Sequence, residues 1–353
     1  MAGKRIQQLD GVRALAILAV LLFHSWHAKL LWMGVDLFFV LSGFLITGVL
    51  LDAKRHSLRT FLGQFYARRV RRILIPYVVF LAFASLFVGI GWMKHWYFYI
   101  AFFNFLGFFN IPQPLAFGTF WSLAVEEQFY LLWPFAVYFL STRQLRRLCI
   151  FLMVLAPVLR GSIHFPTDWA IYHMTPFRMD LLAVGAFLCL EWRERPDRIK
   201  KWGTAVGIFL IPTAAAGILL LYHLGYTNTA NTRLGNVLVF EGTLAISVGA
   251  VLYALAGVGV QWLKSAPLVY IGTISYSLYL THYLFLDYGR RHFGDLKGVP
   301  IGLAFTFAYA VISWHFLERR LLSSSSKKTN PVEQPATSEP TEQQLVTSEV
   351  KPV

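Results

Sequence analysis

The sequence predicts an all-α fold, a polytopic integral membrane helical bundle, and three observations predict it. The chain is 56% hydrophobic, with a mean hydropathy of +0.54. Ten of its apolar stretches are each long enough to cross a bilayer, which takes about 20 helical residues. The Lys and Arg residues of the connecting loops alternate between a rich and a poor side. One feature goes beyond fold class. The first stretch carries Arg13 and His24 inside it, and ionisable groups in hydrocarbon are costly enough to mark a working site by default.

The stretches lie near 10–28, 33–52, 73–93, 119–140, 146–163, 178–192, 203–222, 236–256, 268–288 and 299–318. The sixth is short. Residues 96–110 are apolar and aromatic, but they hold Asn104 and Asn110 and run into Gly and Pro. They read as a re-entrant or interfacial piece, because counting them as a span would make the number of crossings odd. With the N-terminus inside, 23 Lys and Arg residues fall on the inner side and 8 on the outer, with Arg13 inside a span. That bias favours ten crossings with both termini cytoplasmic. The domain organisation expected is one transmembrane domain over 1–322 and a disordered cytoplasmic tail over 323–353, where Ser, Lys, Thr, Pro, Glu and Gln dominate.

The net charge of +14 follows from the inner-loop bias and gives no reason to expect a nucleic-acid partner. Two cysteines, Cys149 and Cys189, lie on different predicted spans and build no disulfide framework. The apolar run continues past His24 into a second span, so it does not read as a cleaved signal peptide. No soluble catalytic domain and no metal-ligating cluster is expected. Any chemistry belongs to the membrane helices.

The polar residues inside those helices are the candidates. Arg13 and His24 are eleven residues apart, close to three turns, so they share a helix face roughly 16 Å apart. Arg13 alone is explained by snorkelling, and His24 alone by a packing hydrogen bond, with His27 one turn away as a candidate partner. Asp36 lies early in the second span and returns to about the depth of His24. A carboxylate there would fix the imidazole tautomer and raise its basicity. Helix capping or pairing with an arginine are its ordinary alternatives. Glu126 and Glu127 point about 100° apart on a helix, so at most one faces a site. Arg178 and Asp180 open another span, and His282 lies near the outer end of the ninth. Arg68, Arg69, Arg71 and Arg72 form the densest basic cluster. They serve either as inner-side anchors or as a phosphate clamp, since Arg binds phosphate oxygens bidentately.

Taken together, Leu9 to Ala16 with Arg13 and His24, then Gly34–Phe44, Trp121–Tyr130, Phe177–Gly185 and Ser275–His282, resemble in order the signatures of the acyltransferase-3 family of polytopic membrane O-acyltransferases. The resemblance spans roughly 6–320. It implies that Arg13 and His24 are essential, with His24 the catalytic centre. It implies that an Arg-x-x-Arg pattern, matched by Arg69 with Arg72 and by Arg68 with Arg71, helps hold an acyl donor. It favours Glu126 over Glu127. Ala14 stands where the family often has Gly. The extra esterase-like domain of some members is not seen, so a second transfer step in the same chain is not expected.

The expected chemistry is transfer of an acyl group, by default acetyl, from cytoplasmic acyl-coenzyme A to a hydroxyl of a carbohydrate or small-molecule acceptor. Such a step needs a held thioester, a base for the hydroxyl proton and donors for the oxyanion. His24 is the expected base, oriented by Asp36, with Arg13 and Glu126 beside it. Arg178, Asp180 and His282 are the expected substrate-binding residues. An acyl-histidine intermediate fits equally. On physics alone, a transporter or flippase of a polar or lipid-linked substrate accounts for ten helices with buried charge as well.

Overall fold

The computed structural model describes residues 6–165 and 167–323. Among them every regular element is helical. The chain runs through Gln7–Trp26, Gly34–Ala53 and Leu58–Arg69, then through a π-helical turn at Val70–Leu74 into Ile75–Val88. Short turns follow, and then Phe120–Phe139, Thr142–Ser162, Met179–Glu194, Pro196–His223 and Arg233–Ala256. The last long stretch, Ala266–Ser313, is two arms joined at Gly294, whose φ of 69° is not helical. From residue 324 on, the expected tail lies outside the described residues.

Among the described residues, six segments are long and apolar enough to cross a membrane: Gln7–Trp26, Leu31–Ala53, Leu58–Val88, Pro196–His223, Arg233–Ala256 and Ala266–Leu322. The chain is therefore an all-helical, multi-pass membrane protein. Phe120–Phe139 and Thr142–Ser162 match the first helix in length, at 20 and 21 residues against 20, but carry charge within them, notably Glu126 and Arg160. Local signals explain several boundaries. Ser141 and Gln144 form a reciprocal capping box before Thr142–Ser162. Thr232 caps Arg233–Ala256 through the Gly235 N–H. The first helix ends at His27, which takes the left-handed conformation (φ 54°) and returns its N–H to Phe23 O.

The first two helices pack at the centre. Gln7–Trp26 lies along the last long stretch and Gly34–Ala53 along Met179–Glu194, while Pro196–His223 leans on Arg233–Ala256 and leaves Phe209, Leu219 and Leu220 outward. An outward apolar face of that kind suits lipid. Residues 91–117 form only short turns, Gly91–His95, Phe98–Ala101, Phe103–Phe105 and Leu115–Phe117. They are clamped inward by Gln128, whose Nε2 donates to Ala101 O (2.7 Å) and Asn104 Oδ1 (2.9 Å).

The crossing of Gly34–Ala53 over Met179–Glu194 depends on two glycines. A Cβ on Gly43 would lie 2.0 Å from Leu182 O, and one on Gly185 would lie 2.0 Å from Val40 O. Both obstacles are backbone and cannot swing aside, so the helices touch through small residues as membrane helices commonly do. Gly185→Ala should therefore separate the helices and destabilise the fold by about 1–3 kcal/mol or more. Gly63→Ala, where nothing lies within 4 Å of the new Cβ, should be neutral. Thermal unfolding of both variants in detergent checks this, and equal melting temperatures would refute the contact's importance.

Candidate active site in two adjoining cavities

Arg13 and His24 sit on one helix but open into different cavities. The first cavity, of about 330 Å³, is lined at its polar end by Asp10, Arg13, Arg69, Arg72, Glu126 and Tyr130, and along its length by Leu41, Leu45, Ile46 and Val49. The second, of about 250 Å³, is lined by His24, Asp168, His173, Asn228 and Thr229 among the aromatic rings of Trp32, Trp121, Tyr172 and Tyr283. Val35 and Tyr279 line both, so the two cavities meet there. The Tyr279 phenol is fixed at this junction, 2.5 Å from Ser122 Oγ and 3.1 Å from Thr119 O.

In the first cavity the arginines divide. Arg69 and Arg72 line it, whereas Arg68 and Arg71 do not. Arg68 is exposed, and Arg71 turns its Nε back to Ala67 O at 3.1 Å. Of the four arginines expected to hold a donor, Arg69 and Arg72 are the two at this cavity. Arg69 rests over the rings of Phe65 and Tyr130, at 5.5 and 5.6 Å. Arg13 donates to Ser275 Oγ at 3.3 Å. Arg13 Nε and Arg69 Nε are buried without a protein acceptor, and both residues line the cavity. Glu126 accepts from Tyr130 OH at 3.2 Å, and Tyr130 is also hydrogen-bonded to Ser42. Glu127 does not line the cavity.

The expected pairing of Asp36 with His24 is not formed. Asp36 is fully buried and bonded to Arg178, and it accepts from Thr243 Oγ1 at 2.6 Å. A guanidinium carries a full charge and satisfies a buried carboxylate better than a neutral imidazole. Arg178 and Asp180, expected to bind substrate, do not line either cavity. The Arg178 guanidinium is enclosed by Trp32, Phe39, Tyr172 and Phe240, the last at 4.8 Å. Asp180 accepts from Arg160 at 2.6 Å, and Arg160 also reaches Glu241 at 2.5 Å and Phe177 O. Arg160, near the outer end of the predicted span 146–163, is buried.

His282 takes the place expected of Asp36. Its Nδ1 lies 2.6 Å from Tyr279 O, and its Nε2 lies 3.2 Å from His24 Nδ1. A carbonyl only accepts, so Nδ1 of His282 carries the proton and its Nε2 holds a lone pair. His24 Nδ1, which also lies 3.1 Å from Val20 O, must then be the donor to both. In the neutral ring this leaves the His24 Nε2 lone pair without a protein partner, and His24 lines the second cavity. Arg290 secures the end of the helix by donating to His24 O (2.7 Å) and Ser25 O (2.8 Å), a cation where the helix dipole favours one. His27 is exposed and makes no pair with His24.

Sequence reasoning did not single out Tyr279, His173, Asp168, Arg160 or Glu318. Glu318 is buried and accepts from Ser277 (2.6 Å) and Ser313 (3.0 Å). Tyr279 lay inside a recognised stretch, but nothing in its spacing marked it as the junction. His173 and Asp168 fall in a segment with no period. Burial pushes the His173 imidazole down to about 3, even though its bond to Trp169 O acts the other way, so that ring is neutral at neutral pH.

Comparison with known proteins identifies relatives. The profile of the family described as "Acyltransferase domain" matches residues 6–318. YrhL of Bacillus subtilis (strain 168) is 29% identical over 358 residues, 89% of this chain and 54% of its own. The peptidoglycan O-acetyltransferase OatA of Listeria monocytogenes is 31% identical over 353 residues, 89% of this chain and 55% of its own. The O-acetyltransferase OatA of Staphylococcus aureus (strain NCTC 8325) is 30% identical over 345 residues, 88% of this chain and 56% of its own. This chain therefore spans about half the length of these curated relatives. No solved structure matches. With the profile covering nearly all of the helical domain, the chain belongs to the acyltransferase-3 family.

Proposed function

We propose that this chain is a membrane O-acyltransferase that moves an acyl group from acyl-coenzyme A to a hydroxyl of a carbohydrate acceptor. Acetyl and a peptidoglycan sugar are the best assignments, from the names of its relatives. The observation that carries the reading is the pairing of two unlike cavities that meet at Val35 and Tyr279. One offers arginine donors and an apolar groove, which suits a polyphosphate carrier with a long thin arm. The other offers an unprotonated imidazole nitrogen among aromatic rings and small polar groups, which suits a neutral sugar.

Arg69 and Arg72 hold the donor phosphates at the first cavity, and Arg13 and Glu126 border the path of the arm. The acceptor hydroxyl enters the second cavity and gives its proton to His24 Nε2. Its oxygen attacks the thioester carbonyl, the carbon–sulfur bond breaks, and the thiolate leaves and takes up a proton. His282 keeps the correct nitrogen of His24 unprotonated. Attack by His24 itself, through an acyl-histidine, uses the same lone pair.

The same reading places the donor in the cytoplasm and calls for ten crossings of the inner membrane with both termini inside. The break at Gly294 supports two passes for the last stretch. Phe120–Phe139, Thr142–Ser162 and Met179–Glu194 supply the remaining passes beyond the long apolar segments. Reporter fusions after Arg59, Arg143 and Lys200 should read inside, and fusions after Lys94, Thr229 and Lys297 outside. An extracellular reading after Arg59 would put the arginine pair on the wrong side for the donor.

Arg69→Ala and Arg72→Ala should each weaken acetyl-coenzyme A binding by about 1.5–3 kcal/mol, the scale of a hydrogen bond to a charged group. Lys at either position should restore only part of it, because Lys lacks the planar fork. Arg68→Ala should bind normally. Equilibrium binding to the detergent-purified chain measures all three, and normal binding by both cavity variants would reduce the pair to a membrane anchor.

His24→Gln tests the reaction itself. Loss of a general base costs about 10²–10⁴-fold in rate, so transfer should fall by that factor while donor binding persists. His282→Phe should be milder, about tenfold, because Val20 O still accepts from Nδ1. Asp36→Asn should act on folding instead, because it weakens the partner of the buried Arg178, and breaking such a pair costs about 3–5 kcal/mol. Thioester consumption together with yield of folded protein separates these effects. Near-normal turnover by His24→Gln would overturn the assignment of the base.

A further inference from the structure

The second cavity holds an imidazole that the reaction above does not use. We propose that His173 is a specificity-determining residue of the acceptor subsite, its Nε2 accepting a hydrogen bond from a hydroxyl or amide N–H that neighbours the reacting hydroxyl of a sugar. This rests on the assignment of that cavity to the acceptor.

The hydrogen-bond directions around His173 carry the argument. Its Nδ1 lies 2.9 Å from Trp169 O, and a carbonyl only accepts, so the proton is on Nδ1. Nε2 therefore has a lone pair. That nitrogen has no hydrogen-bond partner among the described residues, and it is not among the buried unpaired atoms. His173 lines the second cavity together with His24.

The ring is also held in place. It stacks on Trp169 with centroids 3.8 Å apart and meets Trp121 edge-on at 4.8 Å. Trp169 in turn lies flat against Gly107, where a Cβ would fall 2.0 Å from its ring, and its Nε1 is 3.4 Å from Asn104 O. Asn104 Nδ2 donates to His173 O at 3.3 Å. A side chain fixed on both faces, with one acceptor atom left open, is preorganised to recognise a ligand.

The cavity's polar inventory names the ligand class. His24 Nε2, His173 Nε2 and the Asp168 carboxylate are acceptors, Asn228, Thr229, Tyr172 and Tyr283 bring groups that both donate and accept, and no Lys or Arg lines the cavity. It therefore suits an uncharged ligand whose groups donate to the two imidazoles and accept from the hydroxyls, set against aromatic rings. A single sugar ring with adjacent hydroxyl or acetamido groups has that chemistry. The volume of about 250 Å³ is below the roughly 300–1,000 Å³ of sites for larger ligands, which favours one ring over an oligosaccharide. Both histidines would engage the same ring, one at the reacting oxygen and one at its neighbour.

The test uses the full chain in nanodiscs, with acetyl-coenzyme A and a peptidoglycan disaccharide as probes. Deoxy and N-deacylated analogues that each lack one donor group complete the set. His173→Phe keeps the stack on Trp169 but removes the acceptor. It should weaken disaccharide binding about tenfold and leave acetyl-coenzyme A binding unchanged. One analogue should bind the wild type as weakly as it binds the variant. His173→Gln, whose Oε1 reaches near the position of Nε2, should recover part of the loss. Equal disaccharide affinity in wild type and His173→Phe would overturn the proposal, and so would a loss of the same size for every analogue. Failure of the enzymatic reading registers separately, as wild-type chain that binds the disaccharide but forms no acetyl ester on it.

Discussion

The buried pair of Arg178 and Asp36 is the constraint on which the rest of the site depends. Both groups are removed from solvent, and each is intolerable alone at such a depth. Their bond joins the Gly34–Ala53 helix to the start of Met179–Glu194, the two elements that also cross through Gly43 and Gly185. The guanidinium does not find oxygen partners for all its donors, since Nε and Nη1 have none. It is surrounded instead by aromatic faces. Of those, Trp32 and Tyr172 are also walls of the second cavity, and Phe39 is a wall of the first. A single charge thus sits behind both cavities and fixes the rings that shape them, without touching the contents of either.

That arrangement explains what the sequence disclosed and what it hid. Arg13 and His24 were legible because they share a helix, and helical spacing is a local property. The Gly34–Phe44 and Phe177–Gly185 stretches stood out as separate signatures, but their meaning is joint: they are two halves of one crossing. Asp36 was placed near His24 because a short loop returns it to a similar depth. Depth does not determine azimuth, and its partner proved to be 142 residues away in sequence. His282 was recognised as a buried imidazole, but its role depends on which nitrogen faces a carbonyl, and a sequence carries no such information. Arg160 shows the same limit from the other side. Loop charge counting treats an arginine near a helix end as exposed, whereas Asp180 and Glu241 hold this one inside.

The two π-helical turns belong to the same pattern. A π turn adds a residue to the helix and leaves its hydrogen bonding open to outside partners, which is why such turns gather at functional sites. Val70–Leu74 lies between Arg69 and the transmembrane run that follows, and Tyr276 donates to Ile73 O at 2.9 Å across it. Arg72, Ile73 and Tyr276 all line the first cavity. Trp314–Glu318 forms the other π turn and carries Glu318 into its bonds with Ser277 and Ser313 on the final long stretch. The helix that bears Arg69 and Arg72 is thereby keyed to the stretch that bears Tyr279 and His282. The spacing between Arg69 with Arg72 and the histidine pair is then set by packed helices rather than by loops.

Hydrogen-bond direction divides the labour between the cavities. The first presents guanidinium donors and so suits an anion. The second presents lone pairs on His24 and His173 and so suits a ligand that donates. Each lone pair exists because a main-chain carbonyl claims the proton of the other ring nitrogen: Tyr279 O acts through His282, Val20 O on His24 directly, and Trp169 O on His173. Helical carbonyls are already spoken for within their own ladders, but each has a second lone pair. The fold uses that spare capacity to fix tautomers without burying further carboxylates. A carboxylate bonded to either ring would have added a second acidic group to a cavity that Asp168 already lines. Carbonyl dipoles set the tautomer without adding charge at either ring, and the lone pairs they leave accept from a hydroxyl but not from an ionised phosphate, which has no proton to donate.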